Sequence, residues 1–414
     1  MRLKNRFEGF FGYILGVGFF LILVGSVNYI SLMYWSAFVL LICSLLYMPV
    51  LEKPFNLIKS EKLLLLFLVA YPGFTALNVY LRGGGWPEFQ EASRFLLIIP
   101  VIMAVRQHGV GFNWLRWGIL IGAVVAGFWG YYHKEVVGLY RAYGGTNDLQ
   151  SAFGNISLLL GMMSIVVFYD KWRSSHLWKI VVIVGFCFGM YASVASLNKG
   201  GWISLPFMIL LVLSLDPAMK VRYKVGVIVS AAVGAVLVYS FSASVQQRVD
   251  VIFPAIYTYF TTGEVFDGSV GARLALWHTS WLIFIDNPFF GVGMGTSTFK
   301  AAAAPYVELD PNLKFALTTG PHSQFFLSIV RFGIIGPVLV FGIYFALIRL
   351  FVSHLKVNRQ LAILGLMLAV GFMDFGLVEF VWARNNFGVF FTFVVAAIVG
   401  QLAYLRRSGE NQLN

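Results

Sequence analysis

Few side chains in this 414-residue chain could do chemistry, and they lie far apart in sequence. His322 stands in Thr319-Gly320-Pro321-His322-Ser323, just ahead of an apolar run that ends near Val352. Arg141 lies in Tyr140-Arg141-Ala142-Tyr143-Gly144-Gly145, and Lys199 in the minimal turn Asn198-Lys199-Gly200-Gly201. Arg273 precedes a Leu/Trp-rich stretch. A neutral imidazole can take a proton near pH 7. Guanidinium and ammonium groups brought together can hold a phosphate and stabilise it as it leaves. Side by side, these residue types suit a transfer in which a base activates a hydroxyl and cations receive a departing pyrophosphate. Taken singly, each has a plainer reading. A lone loop arginine is usually a solvated charge. Lys199 can snorkel from a tight helical hairpin whose glycines supply the turn. With Thr319 or Gly320 as cap and Pro321 in the first turn, His322 is expected inside the start of a helix, where the dipole favours the neutral ring.

The elements that must position these groups are membrane helices. With 59% hydrophobic and 12% charged residues and a mean hydropathy of +0.80, the composition is that of a polytopic membrane protein. Its apolar runs are helix-spanning in length rather than alternating, so the fold class is all-α. Twelve spans are expected, near 9–27, 29–49, 62–81, 91–106, 112–132, 150–169, 177–197, 200–216, 222–241, 323–352, 359–379 and 385–405. Three regions follow: 1–241 with spans one to nine, a long polar loop at 242–321 carrying short helices, and 322–414 with spans ten to twelve. Irregular backbone cannot face lipid, and an exceptionally long connection is usually functional, so the loop is expected to carry the chemistry.

Charge sets the orientation. On this span assignment, 19 of the 30 Lys/Arg and 6 of the 18 Asp/Glu fall on the side of the N-terminus. Clusters such as Lys220/Arg222/Lys224 and Arg349/Lys356/Arg359 are among them. Basic residues flanking spans mark the cytoplasm, so both termini are expected there and the long loop outside. The same bias accounts for the net charge of +12 without nucleic acid, for which no basic, aromatic-bearing soluble module exists. Arg141, Lys199, Arg273 and His322 all fall on the opposite, basic-poor face, and it is their convergence there that makes them candidates.

Other residues read more blandly. Asp374 and Glu379 close span eleven on that face, with Arg384 just beyond, and an acid at membrane depth needs a partner. Asp374 is expected either to orient His322 or an arginine, or to pair with Arg384. Arg331 reads as an anchor or a lipid-phosphate contact. Cys43 and Cys187 fall inside apolar spans as core residues. Residues 272–285 form an amphipathic helix, on the membrane or docked on the bundle. Gly291-Val292-Gly293-Met294-Gly295 has the wrong spacing and context for a dinucleotide fingerprint and reads as a tight loop. Glu308 and Asp310 are the nearest approach to a metal-binding acid pair, with a solvated loop the favoured reading, and no metal or cofactor is expected.

At this level the chain resembles the O-antigen ligase and polymerase superfamily of bacterial inner-membrane glycosyltransferases. The residues that carry the likeness are His322-Ser323, then after nine intervening residues Gly333, and Gly336 after Ile334-Ile335. Upstream are Arg273, Trp277 and Pro288-x-x-Gly291-x-Gly293, and earlier Arg141-Ala142-x-Gly144. The likeness covers roughly residues 140–340. The chain departs from it at Lys199-Gly200, where many members carry arginine, and in having Trp277 where leucine is usual. The resemblance implies a GT-C-like helical fold and metal-independent, inverting transfer of a polysaccharide from undecaprenyl pyrophosphate to lipid A–core. On this reading His322 is expected to be the general base and Arg141 and Arg273, with Lys199, to bind the pyrophosphate, while Asp374, Glu379 and Arg384 are supporting candidates read from their position alone. A polymerase using a second lipid-linked glycan is the nearest alternative. A glycan-lipid flippase is a different one, but its polar groups would sit at mid-membrane on broken, repeated helices.

Overall fold

The computed structural model describes residues 2–50, 56–145, 150–172 and 174–413. Every regular element among these residues is helical. In order they are α1 (Arg2–Gly25), α2 (Ile30–Tyr47), α3 (Lys59–Leu81), α4 (Trp86–His108), α5 (Phe112–Tyr131), α6 (Gln150–Val167), α7 (Tyr169–Trp172), α8 (His176–Ala195), α9 (Leu205–Leu213) and α10 (Val221–Phe241). There follow α11 (Ala243–Asp250), α12 (Ile252–Thr262), α13 (Val270–Asp286), α14 (Thr296–Leu309), α15 (Gln324–Phe332), α16 (Ile335–Ser353), α17 (Arg359–Val378) and α18 (Asn385–Leu413). Among the described residues, nine helices are long and apolar enough to cross a membrane. Gly9–Gly25 and Lys199–Leu213 are shorter apolar helices, and α4 is 23 residues long despite Glu88, Glu91, Arg94 and Arg106. Together these correspond to the twelve runs read from the sequence. The two shortest expected spans come out differently. The fourth extends to Trp86–His108, and the eighth is α9 preceded by a 3-10 turn at Lys199–Ser204.

The bundle is organised around α6, which is buried along nearly its whole length between α5, α8 and α17. Lipid is as apolar as leucine, so close helix approach depends on small residues more than on hydrophobicity. Gly161 and Gly189 supply it: a β-carbon on Gly189 would come within 2.6 Å of Gly161 Cα. On the other flank α18 packs on α4, and α16 on α3. By contrast α10 buries none of its residues and meets the rest of the protein chiefly through α11. Cys43 is partly buried, but Cys187 is exposed on the outer side of α8, so it is not the core residue expected.

Between α10 and α16 the loop folds onto the bundle. The buried residues Ala272, Leu276, Thr279 and Ile283 recur at helical spacing along α13 and face α15, while Trp281 and Ile285 stay exposed. Leu276, Ile283, Phe299, Ala303, Ala316 and Val330 form a second, smaller core beneath the loop helices. The amphipathic helix is therefore docked on the bundle.

The tenth span, expected as one run over 323–352, is broken at Gly333 (φ 58°) into α15 and α16. The glycine-rich loop after α13 causes the break. Val292 N donates to Val330 O (2.7 Å), Gly293 N to Arg331 O (3.0 Å), and Ile334 N to Pro288 O (2.7 Å). A β-carbon at Gly333 would fall on the Pro288 carbonyl and within 2.5 Å of Phe289 C, and one at Gly291 would fall on the Val330 carbonyl. The backbones cross only because neither residue has a side chain. Arg82 closes the clasp, its Nη2 donating to Gly291 O at 2.6 Å. Arg331 is not the membrane anchor expected. It pairs with Glu91 of α4 with both side chains 11% exposed, because the helix break turns it inward.

Candidate active site

His322 lies outside the helix it was expected to begin. The first residue of α15 is Gln324, and its cap is Ser323, which is extended (φ −156°) with its hydroxyl turned to Phe326 N. Pro321 and His322 therefore precede the helix, and His322 has φ 46°, a left-handed conformation costly for a residue with a β-carbon. Surrounding contacts hold it there. Ser323 Oγ donates to Gly376 O (3.1 Å), and Gln324 Oε1 accepts from Trp382 N (3.0 Å). The segment 322–324 is thus tied to the end of α17 and the turn that follows. His322 Nε2 shares a hydrogen bond with Thr319 Oγ1 (3.0 Å), and the ring stacks on Phe380 at 5.1 Å. His322 Nδ1 makes no hydrogen bond and faces Glu379 Oε1 at 3.8 Å.

Glu379 is the common neighbour of the site. It caps the C-terminal end of α17 with an 8% exposed side chain, 3.9 Å from Arg384 Nε. Burial alone would raise its carboxyl. The adjoining His322 and the charges of Arg384 and Arg273 outweigh that and hold it below the ordinary carboxylate range. Arg384 also lies over the Phe380 ring at 5.7 Å.

The three candidate cations come to the same end of the bundle on different elements. Arg141 sits on the loop after α5, which is pinned by Ala142 N donating to Ala195 O (2.9 Å), and its Nε donates to Ser196 O (2.9 Å). Lys199 is in the turn ahead of α9. That turn is held by Asn198 Nδ2 donating to Asn155 Oδ1 (2.6 Å), and Lys199 Nζ donates to Arg248 O at 2.8 Å. Arg273 stands in the first turn of α13. Its Nη1 donates to Ser269 Oγ (3.1 Å), and its Nε is buried without a hydrogen bond. Asp267 caps that helix, accepting from the amides of Ser269, Val270 and Gly271. The charges act on one another. Burial first, then Arg248 and Arg273, lower the Arg141 guanidinium. Burial lowers the Lys199 ammonium to about 8, opposed by Asp267 and aided by Arg248 and Arg273.

Asp374 does not serve His322 or Arg384. Its Oδ2 accepts from Ser204 N at 2.8 Å, so it holds the start of α9 in place, and Arg384 faces Glu379 instead. Of the remaining histidines, His133 stacks between Trp129 and Tyr143. His278 meets Tyr259 Oη at 3.1 Å. Among the described residues no three His, Cys, Asp or Glu side chains are grouped to hold a metal ion.

Arg273, Lys199 and His322 all lie in residues 190–341, the segment that matches the family described as O-antigen ligase. Over that segment the chain is similar to the O-antigen ligase family. An uncharacterized protein of Haemophilus influenzae (strain ATCC 51907 / DSM 11121 / KW20 / Rd) is 23% identical over 368 residues, covering 86% of this chain and 90% of the relative. The family segment includes the Gly291–Gly293 clasp and the break at Gly333, which set the start of α15 relative to α13.

Sequence reasoning missed Arg248, Gln324 and Trp382. Arg248 was open to the test that found the other cations, a basic residue on the basic-poor face. Gln324 and Trp382 carried no such signal, because their role is to join two loops that only the fold brings together.

Proposed function

We propose that the protein is an O-antigen ligase, transferring a polysaccharide from undecaprenyl pyrophosphate to lipid A–core at the periplasmic face of the bacterial inner membrane. In this reading both termini are cytoplasmic, as the charge bias requires. His322 takes the proton from the acceptor hydroxyl. The acceptor oxygen bonds to the anomeric carbon as the bond from that carbon to the pyrophosphate oxygen breaks, in one displacement that inverts the configuration. Arg141, Arg273 and Lys199 receive the negative charge that develops on the leaving pyrophosphate. Glu379 holds the imidazolium formed at His322, and Arg384 keeps Glu379 ionised.

The observation that carries this reading is the Nδ1 edge of His322, turned to a buried carboxylate beside cations from three separate elements. A flippase would instead need its polar groups along a path through the membrane. The test is reconstitution of the purified protein with a lipid-linked glycan and two acceptors, lipid A–core and a second lipid-linked unit. Extension of lipid A–core is the expected result. Extension of only the second lipid-linked unit would make the protein a polymerase, and no transfer to either would overturn the reading.

A further inference from the structure

Arg248, on α11, has no role in the scheme above, yet its position is constrained from two sides. Lys199 Nζ donates to its carbonyl (2.8 Å), and Tyr140, the neighbour of Arg141, donates from Oη to Oε1 of Gln247 (3.2 Å). The short helix is thereby strapped across both the Arg141 loop and the Lys199 turn. Apart from Val245 it buries little apolar surface, so polar contacts rather than a core hold it over the site. Arg248 Nε is buried and makes no hydrogen bond, and no carboxylate among the described residues forms an ion pair with this side chain. Its charge reaches Arg141, Lys199 and Arg273, and each of those three is disfavoured by it.

Arg141, Lys199, Arg273 and Arg248 thus act on one another around two acids, of which Glu379 is already shared with Arg384 and Asp267 is engaged by three backbone amides. Like charges crowded in partly desolvated surroundings repel, and a polyanion converts that repulsion into binding. We propose that Arg248 is a fourth phosphate-binding residue and that the four cations match a lipid pyrophosphate over a lipid monophosphate. The proposal rests on the donor reading given above and deepens it. A monophosphate satisfies fewer of the four groups, so the contribution of Arg248 is read as the change in the difference between the two lipids when Arg248 is replaced.

The experiment measures binding of undecaprenyl pyrophosphate and undecaprenyl phosphate to the full-length protein in nanodiscs. It compares wild type with Arg248→Gln, Arg248→Lys and Arg273→Gln, with thermal melts as a check on folding. Loss of one charge-assisted contact is expected to weaken pyrophosphate binding by Arg248→Gln by about tenfold. Monophosphate binding should fall clearly less, and Arg248→Lys should recover part of the loss. If Arg248→Gln binds both lipids as wild type does while Arg273→Gln loses the pyrophosphate, the assignment of Arg248 falls and the donor site stands. If neither variant loses affinity, the donor site itself is wrong. An equal loss for both lipids by Arg248→Gln, without recovery by lysine, would make Arg248 a structural residue and overturn the proposal.

Discussion

Replacing Glu379 by glutamine isolates the contribution of one carboxylate to the proposed proton transfer. The substitution keeps the shape of the side chain and removes its charge 3.8 Å from His322 Nδ1. When His322 takes the acceptor proton it becomes an imidazolium beside that charge. Opposite unit charges at about 4 Å attract by roughly 4 kcal/mol at an effective dielectric constant of about 20. The imidazole is 27% exposed, so water screens part of this. About half, ~2 kcal/mol, is a reasonable net effect, and it corresponds to roughly a thirtyfold fall in kcat. Since the charge matters most once the proton has moved, KM for the lipid-linked donor should change little. Steady-state transfer to lipid A–core by the reconstituted protein is the assay, with Glu379→Asp as a variant that keeps the charge. A kcat within about twofold of wild type, or a loss confined to donor KM, would refute the reasoning. The same residue carries a pH signature. Its carboxyl is held below the ordinary range, so its stabilisation is present above the unfolded-state value and disappears as pH falls through the folded one. The Tm gap between wild type and Glu379→Gln should therefore be open at neutral pH and close in strong acid.

Four other outcomes are expected. His322→Ala should lower kcat by about a hundred- to ten-thousand-fold while leaving binding of undecaprenyl pyrophosphate near wild type, which a direct binding titration would check. Because the Lys199 ammonium is lost as pH rises through about 8, donor affinity should decline over that range in wild type and persist in Lys199→Arg, read as donor KM against pH. Gly333→Ala meets the Pro288 carbonyl and also carries the penalty of a positive φ, so it should cost about 2–4 kcal/mol, seen as a lowered Tm in the same detergent. Arg331→Ala leaves Glu91 buried and unpaired and should destabilise by about 3–5 kcal/mol, with Glu91→Gln in the same chain restoring part of it.

The twelve apolar runs, the helical class and the long polar connection were all legible in the sequence. So was the expectation that His322, Arg141, Arg273 and Lys199 share one basic-poor face, because the energetics behind it are local. A run of about twenty apolar residues seeks the bilayer whatever its neighbours do, and basic residues beside it set its direction. The glycines of Pro288-x-x-Gly291-x-Gly293 could be read as a tight loop, but not as the clasp that breaks the tenth span. That outcome depends on a backbone crossing with residues some forty positions later. The same holds for Arg331, whose inward turn follows from that break, and for Asp374, whose carboxylate is taken by the Ser204 amide rather than by His322.

By itself, then, the sequence determined which segments form apolar helices of membrane-spanning length, since partition between water and lipid is decided segment by segment. The tertiary structure decided which carboxylate meets the imidazole, and it placed His322 ahead of its helix in a left-handed conformation with Glu379 as its neighbour. It also brought Arg248 over the Arg141 loop and the Lys199 turn. These are contacts between segments separated by tens of residues or more. They depend on how the helices pack, which no local pattern of residues encodes.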